Sequence, residues 1–345
     1  MMKVLFIGFG NVAKEMARIL IDEHLYPNLK LPVTVIGIYT GRHGGIEDAG
    51  GLDLAKVLDN LKKQKALTEN GARLSSLTPL EAAETLDYDV LVELSALSIE
   101  GKGEPAASHI RAALRRGKSV ASANKGPVSF HYHELAVLAE KNNAEYLFES
   151  AVMDGAPTFN LVKRCMKGTK ITGFSGILNG TTNFILSYME DGGTLEEGIK
   201  QAQSAGIAEA DPSMDVEGWD PAAKTAALAN VLMGCNITPL DVKRTGIRNI
   251  TPTMAQDALK RGKRLKLICR GRLENGTVKT SVGVEEVDKS DIMALISHFG
   301  SALRLESDLM HPNTLVQECP VLIDTAYGLI EDLQTIAERK KFCQR

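Results

Sequence analysis

The sequence predicts a two-domain protein of the α/β class: a parallel-sheet domain, then a second domain of α+β type. Three observations carry this. Over the first 150 residues, short β-branched or aromatic runs alternate with longer stretches of helical periodicity. A glycine-rich turn beginning at Gly8 stands directly after the first run. Beyond about residue 150 the alternation gives way to clustered helices, then to two long runs joined by Asn275-Gly276. The domains are expected at 1–150 and 151–321, with a C-terminal helix at about 322–345 returning to complete the first.

Val4–Ile7, Val33–Tyr39, Val90–Leu94, Ser119–Ala123 and Tyr146–Phe148 read as strands. Val12–Ile21, Leu52–Lys65, Pro105–Arg116 and Phe130–Lys141 read as the helices between them, the pattern of βαβ units and a parallel sheet. Gly117 follows Arg115 and Arg116, where a helix ends in cations and a left-handed residue. In the second half a helix near Pro157–Met166 leads into a strand near Ile171–Ile177. Helices at Asn183–Met189, Leu195–Ser204 and Pro221–Met233 follow. Arg264–Leu273 and Val278–Val284 flank an Asn-Gly pair, a strong type I′ hairpin signal, so this sheet is antiparallel or mixed. Thr325–Lys340 places Leu329, Leu333 and Ile336 on one helical stripe.

Composition narrows the function. A length of 345 residues accommodates two domains. A net charge of −3, evenly spread, argues against nucleic acid or an anionic membrane as the partner. Cys165, Cys235, Cys269, Cys319 and Cys343 are far apart and form no CxxC pair. That argues against a disulfide framework or a zinc site and fits a reducing, cytoplasmic setting. The apolar N-terminus is too short for a signal peptide, and Ala226–Leu240 is interrupted by Asn230, Asn236 and Pro239, so no segment reads as transmembrane. His131 and His133 face apart at a helix start and do not read as a metal pair.

Gly8-Phe9-Gly10-Asn11-Val12-Ala13 fits G-x-G-x-x-G/A between a strand and a helix. One glycine permits the tight turn, the second lets the backbone approach a pyrophosphate, and the small last residue packs helix on strand. The helix N-terminus supplies free N–H groups. In this context the motif indicates a Rossmann-type NAD(P)-binding domain rather than an ordinary glycine turn. The second strand ends Thr40-Gly41-Arg42-His43, without the acid that usually takes the ribose hydroxyls of NAD. Arg42 can pair with a 2′-phosphate, which favours NADP over NAD; the bland alternative is a solvated loop arginine.

The most informative stretch runs from Ala202 to Lys224. Glu209, Asp211, Asp215, Glu217 and Asp220 crowd into it, which could be no more than a solvated acidic loop. Its end argues otherwise. Asp220-Pro221 reads as an N-cap followed by proline at the first helical position. Lys224 then lies one turn inside, beside Asp220 and at the wrong end of the helix dipole. A cation so placed needs acidic partners.

This segment resembles the signature of the homoserine dehydrogenase family: A-x3-G, an acidic D-P, then D-hydrophobic-x-G-x-D-x3-K. Ala202, Gly206, Asp211, Pro212, Asp215, Gly218, Asp220 and Lys224 meet every fixed position. Ser122-Ala123-Asn124-Lys125 resembles the family's lysine-bearing loop, Gly176 to Asn183 its glycine-threonine loop, and Glu149 to Pro157 the segment that often holds a monovalent cation. The resemblance extends well from Met2 to about Ile250.

It implies reversible hydride transfer between L-aspartate 4-semialdehyde and L-homoserine with NADP or NAD, within threonine, methionine and isoleucine biosynthesis. By position, Lys224 would donate the proton to the forming alkoxide, with Lys125 near nicotinamide and substrate. Glu209 would take the substrate ammonium, Asp215 and Asp220 would shape the pocket, and Gly180 and Thr181 would hold the α-carboxylate. Ser95 and Gly206 would join Gly8, Phe9, Gly10, Asn11, Val12 and Arg42 against the cofactor. Glu149 with Val152, Asp154 and Ala156 would bind a structural Na⁺ or K⁺, or Glu149 would simply pair with a neighbour. A homodimer through the second domain's sheet is expected by analogy.

The match departs from the family in two places. Its Gly-Ala-Gly turn before the last helix is replaced by Val316-Gln317-Glu318-Cys319-Pro320-Val321-Leu322, and residues 285–318 match poorly. At this length neither an appended regulatory domain nor a fused kinase is expected. Three rivals stand: another amino-acid dehydrogenase of similar layout, which should not meet the whole Ala202–Lys224 pattern; a non-catalytic NADP or metabolite sensor, against which the retention of both lysines counts; and an assembly or scaffold role, for which the sequence shows no exposed motif.

Overall fold

The computed structural model describes residues 1–345 apart from 23–25, 27, 28, 30, 65, 66, 68–72, 207 and 341–345. Lys65, Ile207, Cys343 and the last residues of the expected C-terminal helix therefore lie outside the described residues. The chain falls into two compact units, Met1–Pro157 with Val321–Arg345, and Thr158–Pro320.

The first unit runs β1 (Met2–Ile7), α1 (Asn11–Ile21), β2 (Val33–Thr40), β3 (Gly44–Glu47), α2 (Leu54–Gln64), β4 (Arg73–Ser75), α3 (Pro79–Thr85), β5 (Val90–Glu93), α4 (Ala106–Arg115), β6 (Ser119–Ser122), α5 (Lys125–Lys141) and β7 (Tyr146–Leu147). Its seven-stranded sheet has the order β4-β3-β2-β1-β5-β6-β7. Strands β2, β1, β5, β6 and β7 pair in parallel, as expected. The antiparallel β3 and β4 were not foreseen. The chain turns back after Thr40 instead of crossing over through a helix. The sheet order reverses at β1, and there the carboxyl ends of β1, β5 and β6 stand side by side, with Ile7 opposite Glu93 and Glu93 opposite Ser122. That is where a doubly wound sheet binds its ligand.

Helix α5 begins five residues before the expected Phe130. Gly126 and Pro127 look like helix breakers, but a proline in the first turn loses no hydrogen bond. Asn124 caps the helix through Oδ1, which accepts from Gly126 N–H at 2.9 Å. Gly117 closes α4 in the left-handed conformation at φ +69, as its position predicted.

The second unit starts with α6 (Thr158–Asn160), continued as a π-helical turn over Leu161–Cys165. Then come β8 (Ile171–Ile177), α7 (Gly180–Glu190), α8 (Leu195–Ser204), α9 (Ser213–Val216), α10 (Trp219–Met233), β9 (Lys243–Arg244), α11 (Pro252–Lys260), β10 (Lys263–Glu274), β11 (Thr277–Asp288), α12 (Ile292–Leu295), β12 (Ser301–Ser307) and β13 (Asn313–Gln317). The sheet is mixed, in the order β13-β12-β8-β10-β11-β9. Asn275 and Gly276 turn β10 into β11 with φ +49 and +79, the type I′ geometry. Residues 285–318, obscure in sequence, supply the edge pair β12 and β13.

The chain returns to the first unit as α13 (Leu322–Arg339). Leu329, Leu333 and Ile336 enter the same core as Phe6, Ala13 and Met16. Burying three such side chains contributes roughly 5–8 kcal/mol before entropy. Ahead of this helix, in the run that lacks glycine, Cys319 adopts the left-handed conformation at φ +47. No helix among the described residues is long and apolar enough to cross a membrane.

Candidate active site

In the first unit the glycine turn fits a dinucleotide. Gly8 has φ +93, and a Cβ there would stand 2.5 Å from Leu94 C and O and 2.8 Å from Ser95 N, so no other residue fits. Gly10 has nothing within 4 Å, leaving room on the outer side. It precedes α1 without a side-chain cap, so the N–H groups opening the helix at Asn11 and Val12 have no intrahelical or capping acceptor, the condition for binding an anion. Phe9 is buried in the core, 6.2 Å from Phe6, and offers only its main chain. Ala13 is buried where helix meets sheet.

Beside that turn, Asn124 reaches from the end of β6 to the end of β5, its Nδ2 donating to Ser95 O at 2.9 Å. This bond joins Ser95 to the first turn of α5, whose first residue is the half-buried Lys125. Arg42 is exposed at the tip of the β2–β3 turn, where His43 N–H donates to Thr40 Oγ1 at 2.8 Å. The Glu149–Ala156 segment is tied to α13. Glu149 N–H donates to Asp332 Oδ2 at 3.0 Å and Ser150 Oγ donates to Thr325 O at 2.7 Å. Glu149, Val152 and Ala156 are buried, and Asp154 is left-handed at φ +46. Gly155 and Gly328 meet so closely that a Cβ on either would overlap the other segment. Among the described residues no three His, Cys, Asp or Glu side chains cluster as metal ligands.

In the second unit, Lys224 and Asp220 meet as their i, i+4 spacing requires, Nζ to Oδ2 at 3.2 Å, and both are buried. Lys224 Nζ also donates to Leu178 O at 2.6 Å. The helix start differs from the expectation. Gly218, left-handed at φ +81, is the N-cap, Asp220 is the second residue of α10 and Pro221 the third. Asp220 is thereby released from capping and turns its carboxylate to Lys224. Arg244 holds this loop from β9, its guanidinium 3.6 Å over the Trp219 ring and hydrogen-bonded to Glu217 O.

Sequence reasoning missed the residue that ties these groups together. Asn179 donates through Nδ2 to Asp215 Oδ1 at 2.7 Å and to Asp220 Oδ2 at 3.0 Å. Its Oδ1 accepts from Thr182 N–H at 2.9 Å, capping α7. The cap was readable from Asn179 standing before Gly180-Thr181-Thr182; the reach to two carboxylates 36 and 41 residues on was not. Gly180 and Thr181 open α7, so their N–H groups have no intrahelical acceptor. Glu209 and Gly206 are exposed beyond the end of α8. Among the described residues the Glu209 carboxylate makes no hydrogen bond or ion pair to this group; its main-chain carbonyl accepts from Gln203 Nε2 at 3.1 Å.

A second lysine lies beneath α7. Lys266 is fully buried, and Nζ donates to Asn183 Oδ1 at 2.9 Å and to Ile296 O at 2.5 Å. Burial pulls its pKa down to about 8, against attraction from Glu190. Below pH 8 the folded and unfolded chains both carry the proton, and the cost of the buried ammonium is borne in full. Between about pH 8 and the ordinary 10.5 the unfolded chain holds the proton and the folded chain does not, so stability rises with pH. Urea titrations from pH 7.5 to 10 should show wild type gaining up to a few kcal/mol relative to Lys266→Met. A pH-independent difference would refute the depressed pKa.

Comparison with known proteins assigns both units to one family. A model described as homoserine dehydrogenase, NAD binding domain, matches residues 8–149, and one described as homoserine dehydrogenase matches 157–334. The second match spans 285–318, so the family likeness reaches well past Ile250, where it fades to the eye. A homoserine dehydrogenase of Methanocaldococcus jannaschii is 35% identical over 96% of this chain and 97% of its own. An NAD(+)-dependent homoserine dehydrogenase of Pseudomonas canavaninivorans is 33% identical over 96% and 95%. The solved structure of a hyperthermophilic archaeal homoserine dehydrogenase in complex with NADPH superposes with a TM-score of 0.82 at 26% identity, covering 98% of both chains.

Proposed function

The chain belongs to the homoserine dehydrogenase family, and we propose that it interconverts L-aspartate 4-semialdehyde and L-homoserine with NADP, in the cytoplasmic biosynthesis of threonine, methionine and isoleucine. The observation that carries the assignment of roles is the buried Lys224–Asp220 pair beside the Asn179-held Asp215. The cofactor, when bound, gives or takes the hydride. Lys224 delivers the proton to the oxygen of the aldehyde carbon, from a position fixed by Asp220 and Leu178 O. The N–H groups of Gly180 and Thr181 receive the substrate carboxylate. Glu209, exposed in the structure, closes on the substrate ammonium, and Gly206 borders the cofactor. In the first unit, Gly8, Gly10, Asn11 and Val12 hold the pyrophosphate, and Ser95 and Lys125 border the nicotinamide. The Glu149–Ala156 turn offers a buried carboxylate and main-chain carbonyls, a donor set suited in kind to Na⁺ or K⁺. A homodimer through the second unit's sheet belongs to the same reading and is read from the mass in solution.

The relatives divide between NAD(+) and NADPH, so the preference lies in this chain's own residues. Arg42 supports NADP. Arg42→Ala should raise KM for NADP by about 10- to 100-fold, the worth of a charge-assisted phosphate contact, and KM for NAD by less than about 2-fold. Equal effects would remove Arg42 from the 2′-phosphate. The activity itself is tested by NADP reduction with L-homoserine, and not with other hydroxy amino acids. Tight NADP binding without any turnover would favour a sensor.

A further inference from the structure

Strand β5 reads Val90-Leu91-Val92-Glu93, all four side chains fully buried. A strand inside a parallel sheet is ordinarily apolar throughout, and a buried carboxylate is costly, so Glu93 breaks the pattern at the ligand-binding end. Its Oε1 takes every hydrogen bond the carboxylate makes. It accepts from Ser95 N–H at 3.3 Å and from the Ser95 hydroxyl, and His109 Nδ1 lies 3.5 Å away. In the short contact between them the Ser95 hydroxyl is the donor and Glu93 Oε1 the acceptor, so the serine's own hydrogen is turned toward the carboxyl group. Asn124 agrees: its Oδ1 is taken by Gly126 N–H, so the group it turns to Ser95 Oγ at 3.4 Å is the donor Nδ2. Ser95 remains half-buried, with oxygen lone pairs and no hydrogen to offer outward.

We propose that Glu93 is a positioning residue that fixes the hydrogen-bond polarity of Ser95, making its hydroxyl oxygen an acceptor that selects the amide N–H of the nicotinamide carboxamide. The proposal rests on the reading of Ser95 as a cofactor residue. It explains why a carboxyl group is kept where Val or Leu would pack: an apolar neighbour would leave the hydroxyl free to rotate and to donate as readily as accept.

The test compares three ligands by calorimetric binding to the purified full chain: NADP, its thionicotinamide analogue, which keeps the NH₂, and its 3-acetylpyridine analogue, which keeps the carbonyl and replaces NH₂ by methyl. Wild type should bind the acetylpyridine analogue about 10-fold more weakly than NADP, the worth of one hydrogen bond, and the thionicotinamide analogue about as well as NADP. Ser95→Ala and Glu93→Met should bring the acetylpyridine ratio close to unity. Glu93→Gln, which can keep an acceptor oxygen against the hydroxyl, should retain it. An unchanged ratio in Ser95→Ala overturns the proposal even if Glu93→Met does not fold. So does a ratio that survives in Glu93→Met. Failure of wild type to bind any of the three ligands would instead bring down the cofactor reading, and this proposal with it.

Discussion

Lys224→Ala should lower kcat by about three orders of magnitude while the dissociation constant for NADP changes by less than about 2-fold. The size follows from the role. A positioned proton donor contributes roughly 10²–10⁴ to a rate, and alanine leaves only water in its place. The selectivity follows from the architecture, since Lys224 belongs to the second unit and the Gly8 turn to the first. Leu178 O and Asp220 Oδ2 fix where the ammonium sits, so loss of Nζ removes a preorganised group and not a wandering surface charge. Lys224→Arg separates two explanations. A guanidinium restores the cation but does not give up its proton near neutral pH. If Lys224 serves only as a counter-charge to Asp220, arginine should rescue much of the rate; if it transfers a proton, arginine should remain within about 10-fold of alanine. Turnover near normal in Lys224→Ala would end the assignment.

How much of this was legible in the sequence depends on how local the determinant is. The Gly8 turn, the Asn275-Gly276 hairpin and the stripe on α13 are set by neighbours within a few residues, and each lies where it was expected. The Asp220–Lys224 contact is an i, i+4 relation and was equally accessible. What escaped was set across the chain. The β2–β3 turn looked like an ordinary loop because four strand residues carry little periodicity. Residues 285–318 hid β12 and β13 because an edge pair alternates weakly: β13 has no fully buried side chain. Lys266 stands among the other charged residues of β10 and Glu93 at the end of the apolar run of β5, yet both are fully buried and hydrogen-bonded. Their partners come from other elements, which no local pattern encodes.

Asn179 tests the same point from the other side, because its two functions can be separated by one atom. Asn179→Asp keeps an oxygen toward Thr182 N–H and therefore keeps the cap of α7. It replaces the amide donor, now 2.7 Å from Asp215 Oδ1 and 3.0 Å from Asp220 Oδ2, by a third carboxylate. Repulsion at that distance in a buried setting amounts to roughly 3 kcal/mol, so kcat/KM should fall by about 100-fold or more without loss of NADP binding. The variant should also carry its own pH signature. Like charges and burial raise the pKa of the added carboxyl above the usual carboxylate range. As pH falls through that raised value the group takes up a proton, and its O–H again donates to one of the two aspartates. Activity relative to wild type should therefore rise from pH 8 to pH 6. Asn179→Ala has neither cap nor donor; it should lose about 1 kcal/mol of stability and show no recovery in acid. If Asn179→Asp stays within a few-fold of wild type, or its relative activity declines as the solution is acidified, then Asn179 only starts a helix, and Asp215 and Asp220 are held by something else.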